Sequence, residues 1–382
     1  MSSFLFSPGP THIPPEISKE LAGEPAHHRS QAFSELFRGC LDKLKLLFKT
    51  GGEVAVLTCS GSGAMEAAVL NTVETGSEIL IVEGGKFGRR WIDICGKIGC
   101  GPHVLSFPAG QIIDPEETKT ALRKHPKTKA VFLTQTESST GQLADIKGIA
   151  RVIKTNSSAT IIADVFGSLG SDPFHQQDWD IDVAVCGSQK GLMCPPGLGF
   201  VSVSAGAREK LVDCGSLYWD LQQYFKYHAK GFTPFTPAIN LIAGIDKALD
   251  MIFEDGLEKR WFEKSCIAQA FRETVRSAGL KVFPANPSAA LTVFCLPDQI
   301  KDTEVILKLE EKTGFRVSGG QSELAGSVIR AAHMGAISYQ DTQQLIEPLF
   351  SVLDSLGFPN DAAEVLHTFN NIYKLLKPSS MA

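Results

Sequence analysis

No cysteine pair in this chain is spaced as a metal or redox motif. The nine cysteines are scattered singly, with neither a CxxC nor a Cys/His cluster. That argues against a zinc site and against a disulfide framework, and leaves free, mostly buried thiols suited to a reducing cytoplasm. No apolar run approaches the ~20 residues that a membrane-spanning helix requires. The opening Met1-Ser-Ser-Phe-Leu-Phe-Ser-Pro8 has neither the basic flank nor the apolar length of a secretory signal. Basic blocks are missing as well. Lys+Arg of 37 against Asp+Glu of 42 leaves a net charge of −5, and nothing in it offers nucleic acid a footprint. Internal repeats and low-complexity tracts are also lacking. The absences together predict a cytoplasmic protein with no nucleic acid, no membrane and no metal among its partners.

What is present reads as an ordinary globular protein. Hydrophobic content of 43% and charged content of 21% over 382 residues suffice for one large core and a smaller second domain. Phe6 to Pro15 (FSPGPTHIPP) holds four prolines and a glycine, so it is expected to be an extended arm. His27-His28 falls in a polar loop without a third ligand nearby, ahead of an amphipathic helix from Phe33 to Phe48. From Val54 onward short apolar runs alternate with helical patterns: Val54–Leu57, Ile79–Val82, Val104–Phe107, Ala130–Thr134, Ile161–Ala163 and Val183–Cys186 read as strands. Such alternation predicts βαβ units and an α/β fold with a mostly parallel sheet covered by helices. Helices are expected over Ala238 to Asp255 and Leu257 to Ala278. A smaller α+β region follows, with strands near Leu291–Cys295, Phe315–Val317 and Val328–Ala331. The expected division is an arm over residues 1–20, a large domain over 21–260 and a small C-terminal domain over 261–382.

Five positions carry chemistry. Lys190 ends the run Asp182-Val-Ala-Val-Cys-Gly-Ser-Gln-Lys190, and Pro195-Pro196-Gly197 then turns the backbone sharply. A lysine at the mouth of a buried strand is poorly solvated, so its pKa should fall and free a neutral, nucleophilic amine. Taken alone it also fits a surface loop. Ser60-Gly61-Ser62-Gly63 lies between a strand and a helix N-terminus, where free N–H groups and the helix dipole favour a phosphate; a plain tight turn is the other reading. Asp164 directly follows the strand Thr160-Ile-Ile-Ala163 and should stand at the carboxyl edge of the sheet, where ligands of open α/β sheets bind. It could pair with a protonated ring nitrogen or cap a helix. Phe87, between glycines in Gly84-Gly-Lys-Phe-Gly88, could lie flat on a planar ring or plug the core. Arg330, beside His333-Met334-Gly335, could clamp a carboxylate through two parallel hydrogen bonds or form a surface ion pair.

Their order along the chain resembles the class V aminotransferases, within fold type I of the pyridoxal-phosphate enzymes. The likeness covers nearly the whole chain: FSPGPTHIPP, HRSQAF, SGSGAMEAAVLN, GGKFGRRW, TESSTG, ADVFGSLG, GSQKGLMCPPGLG, GFTPFTPAINL and IRAAHMG. It looks most like the alanine–glyoxylate and serine–glyoxylate (serine–pyruvate) branch. Bacterial members of that branch sometimes carry a soluble-hydrogenase label, for which this chain has no nickel or iron–sulfur cysteine cluster. The resemblance implies pyridoxal 5'-phosphate as cofactor, Lys190 as the Schiff-base lysine and proton shuttle, and Asp164 as the partner of the pyridine nitrogen. It further implies Phe87 stacked on the ring, Gly61, Ser62, Gly63 and Gln189 in the phosphate cup, and Ser138 as a hydroxyl near the ring. Arg330 would hold the substrate α-carboxylate, with Gly9 of the arm also at the substrate. Thr233 or Thr236 in GFTPFTP resembles the segment that reaches the phosphate of a neighbouring subunit, which implies a homodimer with shared sites.

Two departures stand out. The family usually reads RIGHMG where this chain has Arg330-Ala-Ala-His-Met-Gly335, and the loop Phe107 to Gln111 lacks the Trp-Gly often found there. The resulting expectation is transfer of an amino group from a small L-amino acid, alanine or serine, to glyoxylate or pyruvate. A different donor such as 2-aminoethylphosphonate, or a lyase on the same scaffold, is the alternative. A desulfurase would need a cysteine near the Arg330 region, and none follows Cys295.

Overall fold

The computed structural model describes residues 4–254 and 256–377. Residues 1–3 and 378–382, at the ends of the expected arm and small domain, and Asp255, at the end of an expected helix, lie outside the described residues.

Seven strands form the central sheet, in the spatial order Glu53–Leu57, Gly199–Val203, Val183–Gly187, Thr160–Asp164, Ala130–Thr134, Glu78–Glu83 and Gly101–Ser106. Gly199–Val203 runs antiparallel to both its neighbours, and every other pairing is parallel. The strand runs look continuously apolar because both faces are covered. Val54, Val56, Ile161, Ala163, Ala184 and Cys186 pack into one core. Their alternating neighbours Ala55, Leu57, Ile162, Val183 and Val185 pack into the other, as a side-chain period of two demands. On the first face lies the helix Gln31–Phe48, whose Phe33, Phe37, Cys40, Leu44 and Leu47 form one buried stripe. Ser30 caps it by accepting from the Phe33 N–H at 3.2 Å.

A separate core gathers residues from Cys266 to Tyr373 around a three-stranded antiparallel sheet, ordered Leu291–Cys295, Val328–Ala332, Ser318–Gly319. One of the three strands expected here is displaced. Phe315–Arg316 pairs in parallel with Phe4–Leu5 of the N-terminal arm, and Phe6 is buried in this second core. The arm then crosses to the large sheet, where the Thr11 N–H donates to the Gln189 carbonyl at 3.2 Å and Thr11 Oγ1 to the Lys190 carbonyl at 3.0 Å. From Pro15 to Leu21 the chain is helical. Proline's fixed φ suits the first helical position, and Ile17 is fully buried.

Candidate active site

The parallel strands deliver their carboxyl ends to one edge of the sheet, and all of those ends but that of Gly101–Ser106 carry a residue singled out from sequence. Ser60 and Gly61 follow Leu57, Phe87 follows Glu83, Ser138 follows Thr134, Asp164 closes its own strand, and Lys190 follows Gly187. One cavity of about 250 Å³ receives them. Gly9, Gly61, Ser62, Phe87, Ser138, Asp164, Gln189 and Lys190 all line it.

Lys190 is held by a pinned turn. Ser188 Oγ donates to the Pro195 carbonyl at 2.6 Å, the Leu198 N–H donates back to Ser188 Oγ at 3.3 Å, and the Cys194 N–H donates to the Ser188 carbonyl at 3.0 Å. The lysine Nζ donates to the Pro8 carbonyl of the arm. Gly9, at φ +125°, leaves the room; a Cβ there would stand 2.5 Å from the lysine Cε and Nζ. Burial pulls the Lys190 ammonium down to about 8 against the Asp164 carboxylate, and Arg330 and Arg90 add to the fall.

Asp164 is 3% exposed. One oxygen accepts from the Phe166 N–H at 2.9 Å. Burial pushes its carboxyl up to about 7, with the Phe166 N–H opposing and Glu137 adding. The group is therefore a buried carboxyl facing a cavity, and the nearby Lys190 and Arg90 charges oppose the rise without cancelling it. Phe87 sits in the first turn of the helix Lys86–Ile98, with Lys190 Nζ 5.6 Å and Arg90 Cζ 5.1 Å from its ring centroid.

The helix Gly61–Thr72 opens on the cavity without a side-chain cap, which leaves the N–H groups of Gly61 and Ser62 there for a ligand, while the Gly63 N–H donates to the Ser60 carbonyl at 2.9 Å. Gln189 Oε1 is buried without a hydrogen-bond partner. Gly63 lies elsewhere: a Cβ on it would meet Cys59 and the Trp219 ring at 2.9 Å, and it does not line the cavity. Arg330, on the strand Val328–Ala332, is buried beside the cavity, not in its lining. Its Nη1 donates to the Ser138 carbonyl at 2.9 Å and its Nε to the Gly319 carbonyl at 2.7 Å. Two of five guanidinium hydrogens are thus engaged, leaving three for a ligand. Burial lowers this guanidinium to about 10, and Glu137 opposes the fall. Thr233 and Thr236 are not at this chain's cavity. Thr233 is buried and donates to the Phe235 carbonyl at 2.7 Å, and Thr236 is exposed.

Arg90, Phe166 and Thr136 line the cavity too, and sequence reading passed over them. Arg90 stands at i+3 from Phe87, a helical spacing that would have flagged it. Phe166 lies two residues past Asp164. Its ring is where a Cβ on Gly61 or Gly187 would fall, so the two glycines are needed for close approach. Nothing in the sequence pairs these positions.

The family model of the class V aminotransferases matches residues 3–340. A protein named soluble hydrogenase, small subunit, from Synechococcus sp. is 36% identical, covering 94% of both chains. The serine–glyoxylate aminotransferase of Methylorubrum extorquens is 31% identical over 87% of both. Among solved structures, alanine–glyoxylate aminotransferase from Nostoc sp. superposes with a TM-score of 0.88 at 30% identity, covering 92% of this chain and 96% of that one. The match of the family model over most of the chain, on a fold type I architecture with its lysine and aspartate at one sheet edge, establishes that this chain belongs to the class V aminotransferases.

Proposed function

We propose that this enzyme moves the amino group of a small L-amino acid, alanine or serine, to glyoxylate or pyruvate, with Lys190 and Asp164 as its catalytic residues. The observation that carries the reading is the meeting of Lys190, Asp164 and Phe87 in one cavity, with the buried Arg330 guanidinium beside it. The family's cofactor is pyridoxal 5'-phosphate, and the residues present fit it. Asp164 is a buried carboxyl with no ion pair among the described residues, and the helix at Gly61 opens on the cavity without a side-chain cap. Gly61, Ser62 and Gln189 would hold the phosphate, Phe87 and Phe166 the ring, Ser138 a polar ring substituent, and Asp164 the ring nitrogen. Bound there, the cofactor supplies an electrophilic carbonyl carbon and an electron-accepting ring.

The chain's own residues do the rest. Lys190 provides the amine that retains the cofactor. The same Nζ, when free, would serve as the base that takes the proton from the substrate α-carbon and as the acid that gives it back. An amine held near 8 can do both near neutral pH. Asp164 would ionise beside the cationic ring nitrogen and hold the proton there. Arg330 orients the α-carboxylate, and its anchoring to the Ser138 and Gly319 carbonyls fixes the guanidinium plane before substrate arrives. The arm at Pro8 and Gly9 closes the side of Lys190.

Of Thr233 and Thr236, either of which the resemblance offers, we assign the exposed Thr236 to the cofactor of a second subunit, since the Thr233 hydroxyl is buried and donates to the Phe235 carbonyl; the working unit of this proposal is a homodimer. A panel of L-alanine, L-serine and 2-aminoethylphosphonate against glyoxylate, pyruvate and 2-oxoglutarate tests the substrate assignment. Turnover of alanine or serine with glyoxylate or pyruvate supports it. A preference for 2-aminoethylphosphonate, which has no α-carboxylate for Arg330, overturns it.

A further inference from the structure

The helix that carries Phe87 has no cap of its own. Its N-cap is Gly85, and no acidic residue stands in its first turn, so its leading N–H groups need an acceptor from elsewhere. Ser139 Oγ accepts from the Lys86 N–H at 3.3 Å, and the acceptor for the next two N–H groups is Glu137, 50 residues further along the chain than Phe87. Glu137 Oε2 accepts from the Phe87 N–H at 2.9 Å and from the Gly88 N–H at 3.0 Å. Its Oε1 accepts from the Ser139 N–H at 3.1 Å and from Ser139 Oγ at 2.5 Å. The side chain is 4% exposed, does not line the cavity, and has both oxygens committed. Gly85 permits the approach, since a Cβ there would stand 2.7 Å from Glu137 Cγ. A carboxylate at this end of a helix is also favoured by the aligned peptide dipoles. The next residue of the turn, Ser138, lines the cavity, and its carbonyl takes the Arg330 hydrogen bond at 2.9 Å.

From this geometry we infer that Glu137 is the positioning residue that sets Phe87 against the cofactor, by clamping the first turn of the Phe87 helix to the Ser138 turn. The inference rests on Phe87 being the stacking residue of the proposed function. Glutamine in its place keeps one acceptor oxygen and turns an NH₂ toward donors, so one of the two clamped segments loses its acceptor. The cost should then be felt at Phe87 and not as general unfolding.

The test is a double-mutant cycle on cofactor binding: the dissociation constant of pyridoxal 5'-phosphate and the visible circular dichroism of the bound cofactor, for wild type, E137Q, F87L and E137Q/F87L. Melting temperatures of the cofactor-free proteins keep loss of fold out of the comparison. Each single variant should bind the cofactor about tenfold more weakly with a reduced visible signal, and the double variant no more weakly than the weaker single, because Glu137 acts through Phe87. Glu137→Asp, which keeps the charge one methylene back, should recover part of both signals, and it carries the same cycle if E137Q does not fold. Multiplicative losses in the cycle, or wild-type binding by E137Q, would overturn the inference. A wild-type protein that fails to bind the cofactor would instead remove the proposed function itself.

Discussion

Replacing Asp164 with Asn in the cofactor-free protein turns the electrostatics of the cavity into a measurable stability. Burial holds the Asp164 carboxyl at about 7 against an ordinary 3.8. A carboxyl whose folded pKa lies above its unfolded one binds its proton more tightly when folded. Its stabilising contribution is complete below the unfolded value and is lost as pH rises through the folded value. At ~1.4 kcal/mol per pH unit, the wild type should lose on the order of 4 kcal/mol between about pH 4 and pH 8 through this one group. Asparagine does not titrate, so Asp164→Asn should gain that much stability relative to wild type over the same range. With roughly 2.1 cal/mol/K per residue for the unfolding entropy and 382 residues, the relative gain is about 5 °C in melting temperature. Calorimetry of the two cofactor-free proteins at several pH values reads it directly. Parallel melting curves across the range would show that burial does not raise the Asp164 carboxyl, and the reasoning would fail. In the loaded enzyme the order should invert in activity. A neutral amide cannot keep the ring nitrogen protonated, so turnover should fall by ~100-fold or more, the scale of a lost charge-assisted contact of several kcal/mol.

Arg330→Lys should raise KM for the amino acid and the keto acid alike by roughly tenfold, since a lysine cannot give two parallel donors to one carboxylate, while cofactor affinity stays near wild type; unchanged KM values would remove Arg330 from substrate binding. Gly9→Ala places a Cβ against the Lys190 side chain at a backbone φ of +125° and should cut turnover about tenfold or more with little change in melting temperature. Normal turnover by that variant would show that the arm does not sit against Lys190 during catalysis. Sedimentation should find a dimer at working concentration, and an active monomer would remove the shared-site role of Thr236.

Lys190 and Asp164 were legible because each follows a short apolar run and precedes turn residues, a pattern that puts a side chain at the carboxyl edge of a parallel sheet. Their neighbouring strands confirm the geometry: Asp164 pairs in register with Val185, five residues before Lys190. The βαβ alternation gave the parallel sheet for the same reason. The antiparallel course of Gly199–Val203 was hidden, since a strand buried on both faces reads the same in either direction. The parallel pairing of Phe4–Leu5 with Phe315–Arg316 was hidden too, because two-residue strands have no period to read. Arg90 and Phe166 escaped attention as one more charge on a helix and one more aromatic in an apolar run. Glu137 sat in a motif already noticed, TESSTG, but its work depends on backbone N–H groups 50 residues away, and hydrogen bonds to a backbone leave no mark on the sequence.

The most direct measurement follows glycine formed from glyoxylate and L-alanine by wild type and by Lys190→Ala, each saturated with pyridoxal 5'-phosphate. Both the covalent hold on the cofactor and the proton transfer at the substrate α-carbon require the Lys190 amine. Wild type should form glycine in step with loss of alanine, and Lys190→Ala should show none above the rate of free cofactor. Glycine formation by Lys190→Ala at a rate near wild type would contradict the assignment of the catalytic lysine and, with it, the mechanism built on it.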